Sequence, residues 1–154
     1  MDRADVHRFL PQSALARIEK IIGEGEARHS GQVCFAVEAA LPFARVWERI
    51  TPRQRALEAF GLLRVWDTER NDGVLIYLLL ADRDVEIVAD RGIHAKVGDD
   101  AWTAICRTME DAFRAGRYAE AVEEGVRAVN DLLALHSPHT AGERNEIPDR
   151  PIVL

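Results

Sequence analysis

The 154-residue chain is long enough for one domain with a hydrophobic core of its own, and at 47% hydrophobic and 30% charged it has the composition of a globular protein. Its formal net charge of −6 argues against nonspecific binding to nucleic acid or to an anionic membrane. Two cysteines make no disulfide framework, Met1 to Leu10 is charged where a signal peptide is apolar, and no apolar run nears the roughly 20 residues of a membrane span, so the expectation is a cytoplasmic protein that inserts in no membrane.

The first element expected is a helix over 11–28. Pro11 and Ser13 suit its first turn, and Leu15, Ile18 and Ile22 recur at helical spacing. Gly23 and Gly25 loosen its end, and His29-Ser30-Gly31 stops it. Residues 32–39 read as a strand with Val33, Phe35 and Val37 on one face and Cys34 and Ala36 on the other. Both faces are apolar, so both must be covered.

Residues 41–50 are amphipathic and helical after Pro42. Thr51 then caps another helix, with Pro52 at its first position and Ala56, Ala59, Phe60 and Leu63 as its packing face. Residues 66–73 form a polar loop. Val74 to Ala81 is an unbroken apolar run, which predicts a central strand. Asp82-Arg83-Asp84 leaves room only for a hairpin turn. Val85, Ile87 and Ala89 then alternate with Glu86 in a strand nearer an edge. Asp99 caps a helix that packs through Trp102, Ile105, Cys106, Met109 and Phe113, and Gly116 breaks it. The last helix spans Tyr118 to about His136. Residues 137–154 are polar, carry Pro138, Pro148 and Pro151, and end on Ile152-Val153-Leu154. They predict an extended tail, free to dock on the domain over 1–136 or on a partner. The element order predicts an α/β/α sandwich with a small mixed central sheet containing a β-hairpin. Its first two strands are joined by a right-handed parallel crossover.

Antiparallel pairing in the hairpin brings Asp72, before the central strand, to the end where Asp90 closes its neighbour. The chain returns to that end at Asp99 and Asp100. Those four carboxylates are therefore candidate ligands for a hard cation, Ca²⁺ or Mg²⁺. Three of them also have a plain structural role to fill: Asp72 in a turn, Asp90 beside Arg91 or Arg70, Asp99 as a helix cap. The opposite end holds Glu38, Asp82, Arg83 and Asp84, either the ligand crevice of an open α/β sheet or a solvated turn. The run Leu78 to Val85 imitates the Asp-x-Asp motif of haloacid-dehalogenase phosphatases. The strand that follows at once leaves no room for that family's loop. No G-x-S-x-G elbow, P-loop, G-x-G-x-x-G, H-E-x-x-H or paired C-x-x-C is present. His136 and His139 are close in sequence, and His94 is the one imidazole near the acidic end. Trp47, Trp66 and Trp102 fall at packing positions, and Cys34 and Cys106 read as buried free thiols.

The stretch from Asn71 to Ile93, together with Asp99-Asp100 and Phe113-Arg114-Ala115-Gly116-Arg117-Tyr118, resembles the TPM domain family over about residues 10–136. That family shows a Gly-led apolar strand, a short Asp-Arg turn, a second strand, a glycine loop and an acidic helix start. The resemblance implies an α/β/α sandwich, divalent-cation binding and acid-phosphatase activity. It also implies a membrane-linked protein partner of the LemA type. Where the family loop reads Gly-x-Gly, this chain has Asp90-Arg91-Gly92, which alters backbone freedom there. Two readings follow. One is a non-catalytic TPM-type interaction domain with a weak cation site. The other is a metal-assisted phosphomonoester hydrolase using the same carboxylates.

Overall fold

Two strands form the centre of the sheet because they are apolar on both faces. β1 (Gln32–Glu38) and β2 (Gly73–Leu79) are buried along their whole length and run parallel, Gln32 opposite Gly73 and Glu38 opposite Leu79. β3 (Asp84–Ala89) pairs antiparallel with β2, Val74 opposite Ala89 and Leu79 opposite Asp84. The computed structural model describes residues 1–140 and 145–154.

The hairpin connection starts earlier than expected. β2 stops at Leu79, and a single 3-10 turn, Leu80–Asp82, leads to Arg83 in the left-handed region at φ 51°. Leu80 stays buried in this turn, and the Ala81 N–H donates to the Ala39 carbonyl at 2.9 Å. The apolar character that suggests strand through Ala81 therefore comes from a buried turn.

The tail supplies β4 (Ile152–Val153), parallel to β1 at Ala36 and Val37, so the order is β3-β2-β1-β4. The tail thus belongs to the sheet. β3 is an edge strand and β2 is central, as their hydrophobic patterns require.

Helices cover both faces. α1 (Arg3–Phe9), α2 (Gln12–Gly25), α5 (Arg91–Val97), α6 (Asp99–Arg114) and α7 (Tyr118–His136) supply the larger core with Val33, Phe35, Val37, Val74, Ile76 and Leu78. On the other face, α4 (Pro52–Leu62) sets Ala56 and Ala59 against Cys34, Ala36, Leu75, Tyr77 and Leu79. α3 (Phe43–Trp47) precedes α4 and buries none of its residues. The α/β/α sandwich with a mixed sheet is therefore the observed architecture.

Three helical details depart from expectation. α1 starts in a segment read only as charged, and Asp2 and Asp5 build a reciprocal capping box for it. α5 fills the stretch read as a loop, and Asp90 caps it by accepting from the Arg91 N–H at 2.8 Å. α6 has Gly98 at its cap, with Asp99 as its first residue. Among the described residues, no helix is long and apolar enough to cross a membrane.

Cys34 is buried, Cys106 is half-buried, and both are free. Burial pushes both thiols up to about 12, so neither is a ready nucleophile. Of the tryptophans, only Trp102 is core. Trp47 is 80% exposed and Trp66 is 45% exposed. The core assignment fails for those two because α3 buries none of its residues, and Trp66 lies at the surface with only the Arg64 guanidinium over its ring at 5.0 Å.

Candidate functional site

The hairpin does bring Asp72 and Asp90 to one end of the sheet. The Asp90 N–H donates to the Gly73 carbonyl at 2.8 Å. Gly92 lies so close to this loop that a Cβ would meet the Arg70 carbonyl oxygen and, at 2.6 Å, that of Asn71. The register nevertheless sets Asp90 against Gly73, one residue away from Asp72. One residue of offset reverses the face in a pleated pair.

The four acidic groups end in different surroundings. Asp72 is buried with its Oδ1 lacking a hydrogen-bond donor, and burial raises its pKa above the ordinary carboxylate value. Its backbone N–H donates to Thr68 Oγ1 at 3.1 Å. Asp90 spends Oδ1 on the α5 cap and keeps a buried Oδ2 without a donor. Asp99 is out in solvent, 3.4 Å from His94 Nε2, and Asp100 is exposed. Among the described residues, no group of three or more His, Cys, Asp or Glu side chains stands close enough to hold a metal ion, and this includes His136 and His139. The four carboxylates therefore do not converge as a shared ligand set for one ion.

At the opposite end the expected group divides. Asp82 and Arg83 are exposed, and Arg83 Nε donates to the Tyr118 hydroxyl at 3.1 Å. Glu38 turns inward instead. Arg55 meets it with two hydrogen bonds, Nε to Oε1 at 2.8 Å and Nη2 to Oε2 at 2.9 Å, and the Tyr77 hydroxyl donates to Oε1 at 2.6 Å. This charged network fills the crevice beneath α4. The sequence signal for it is a lone glutamate closing an otherwise apolar strand, facing a helix that carries arginine.

Asp84 leads into a different feature. The outer edge of β3 forms the floor of a groove of about 600 Å³, walled by Arg53 and Leu57 of α4 and by Trp102, Cys106 and Glu110 of α6. Burial first, then the nearby Asp84 carboxyl, pushes Glu86 up to about 8. Burial also raises Glu110. Elsewhere, α3, α4 and the turn that follows expose six large apolar side chains: Phe43, Val46, Trp47, Leu62, Trp66 and, at the groove wall, Leu57.

The family model described as the TPM domain matches residues 4–132. Among solved structures, the BA42 protein of the psychrophilic bacterium Bizionia argentinensis is similar at 25% identity and a TM-score of 0.83, over 95% of this chain and 96% of that one. The N-terminal domain of a P. gingivalis protein shares the fold at 20% identity and a TM-score of 0.68, over 84% of this chain and 81% of that one. No curated protein matches the chain.

Proposed function

The chain belongs to the TPM domain family, and from that premise we propose that it works as a non-catalytic interaction domain. The observation that carries this reading is the apolar layer on α3 and α4. Phe43 and Trp47 are 82% and 80% exposed on a helix with no buried residue, and Leu62 is 70% exposed close by in sequence. Aromatic side chains gathered on one side mark protein-binding surfaces and supply most of their affinity. The Arg45 guanidinium, tied to Glu48 at 2.8 Å and to Glu58 at 3.1 Å, fixes α3 to α4 and holds these side chains outward.

The alternative, metal-assisted hydrolysis of a phosphomonoester, needs Asp72, Asp90, Asp99 and Asp100 to share one ion. Their separation into buried and solvent-facing groups speaks against it. A membrane protein of the LemA type is the first partner to test.

The test is in-cell cross-linking with a photoreactive residue replacing Val46, read by mass spectrometry. One reproducible protein partner is expected, lost in a Phe43→Ser/Trp47→Ser variant that keeps the wild-type circular dichroism. The reading fails if no partner recurs. It also fails if the purified chain hydrolyses a phosphomonoester and Asp72→Asn or Asp90→Asn abolishes that turnover.

A further inference from the structure

β3 closes the sheet on one side, so among the described residues no strand neighbours its outer edge. Alternate residues of an antiparallel strand turn their backbone groups away from the partner, and here these are Val85 and Ile87. Side chains stand in for the missing strand. The Val85 N–H reaches Glu110 Oε2 at 3.4 Å, well beyond the usual 2.9–3.0 Å. The Ile87 N–H is directed to the Cys106 thiol, a weak acceptor. Arg53 Nη1 donates to the Ile87 carbonyl at 2.6 Å.

Among the described residues, the Trp102 indole N–H, on a side chain only 5% exposed, has no acceptor. Asp84 keeps a buried Oδ2 and hydrogen-bonds through its carboxyl to Glu86. The charges are unbalanced as well. Asp84, Glu86 and Glu110 cluster along β3, while Arg53 and Arg107 supply positive charge and His94 pairs with Asp99. Arg53 reaches Glu86 only at 3.8 Å. Burial raises both Glu86 and Glu110, as expected of carboxyls short of nearby cations.

We propose that this groove takes an extended peptide segment of a partner protein, added to β3 as a further strand, with a lysine or arginine side chain set among Asp84, Glu86 and Glu110. An added strand supplies good acceptors to the Val85 and Ile87 N–H groups and a donor to the Ile87 carbonyl. Its basic side chain sets a fixed positive charge against the acidic cluster. The inference rests on the interaction-domain reading and names the partner's chemistry, at a surface separate from Phe43 and Trp47.

The test titrates the nitrogen-15-labelled full chain with the blocked peptide acetyl-Thr-Val-Lys-Val-Thr-amide, followed by NMR. A second peptide carries Glu in place of Lys. Saturable shifts are expected at the Val85 and Ile87 amides and the Trp102 indole, with binding weakened at least about five-fold by the Glu peptide and by a Glu86→Gln/Glu110→Gln chain. The absence of shifts at about 5 mM peptide overturns the proposal, as does equal affinity for both peptides. Shifts of β3 amides with protein concentration alone, marking edge pairing with a second copy, also overturn it. The Phe43→Ser/Trp47→Ser variant is expected to bind the peptide like the wild type. A failed titration therefore counts against the groove alone, and a failed cross-link counts against the apolar layer alone.

Discussion

Arg55 holds Glu38 with two parallel hydrogen bonds of 2.8 and 2.9 Å, where the two side chains are only 11% and 7% exposed. Their attraction raises the guanidinium pKa, and the ring of Tyr77 packs beside them with its hydroxyl on Glu38 Oε1. Burying two charges costs several kcal/mol in lost hydration, which good geometry and extra hydrogen bonds must offset. Arg55 also reaches Glu58 at 3.0 Å, so one cation serves β1 and its own helix.

Removing one partner leaves the other charge buried. Glu38→Gln is therefore expected to destabilise the fold by about 3 kcal/mol, lowering the thermal midpoint by roughly 6–12 °C. Differential scanning calorimetry checks this. A loss under about 1 kcal/mol would mean that water reaches the pair and screens it.

Asp72 poses the opposite case, a buried carboxyl with an unpartnered oxygen and a raised pKa. The sign follows from linkage. A folded pKa above the unfolded one means that ionisation opposes folding, so the burden grows as pH rises through the carboxylate range. Asp72→Asn is expected to stabilise the chain by about 1 kcal/mol at pH 7 and less at pH 4, measured by urea unfolding. In parallel, Ca²⁺ at about 5 mM is expected to leave the amides of Asp72, Asp90 and Asp99 unshifted, since these carboxylates do not gather around one position. A saturable shift at those amides would restore the cation site.

The central strands were legible because Val33 to Val37 and Val74 to Leu79 are apolar on both faces, a pattern only a covered strand satisfies. The edge position of β3 was legible from Glu86 alternating with Val85 and Ile87. β4 was not, because two residues behind three prolines carry no period, and only the open edge of β1 makes them a strand. α5 was missed because its seven residues depend on the Asp90 cap and on contact with the Asn71 loop. Pairing brings Asp72 and Asp90 to one end of the sheet, yet register and burial separate their side chains. The β3 groove was hidden because it depends on how far α4 and α6 stand apart, which no local pattern records.

Glu26, at the end of α2, shares a proton with Asp149 of the tail. That hydrogen bond, followed by burial, pushes Glu26 up to about 7 from an ordinary 4.5. The folded chain thus holds an extra proton between those values. Its stabilising effect is complete below about pH 4.5 and is lost as pH rises through about 7. Glu26→Gln keeps a donor toward Asp149 at every pH. The variant is expected to gain about 1–2 kcal/mol over wild type between pH 5 and 8, after allowance for solvent screening. Parallel stability profiles for the two proteins would show that the shared proton does not hold the tail. Glu86 titrates in an overlapping window, so the comparison is made between these two chains and not on the wild type alone.

One side chain anchors the start of the tail. Gln32 Oε1 accepts from the Glu146 N–H at 3.0 Å and the Ile147 N–H at 3.2 Å, which turns Ile147 into the smaller core beside Cys34 and Leu75. Beyond it, the Leu154 N–H donates to the Val37 carbonyl at 2.9 Å and Arg3 Nη2 donates to the Val153 carbonyl at 2.9 Å. β4 thereby covers the edge of β1, a buried apolar strand that would otherwise offer free backbone to any chain. Ile147→Ala is expected to cost about 2–4 kcal/mol from the cavity it leaves. Deleting residues 145–154 removes the cover as well, so the shortened chain should self-associate with rising concentration in sedimentation velocity. If it stays monomeric with an unchanged thermal midpoint, the tail contributes nothing to the sheet, and β4 is only a resting place for a free terminus.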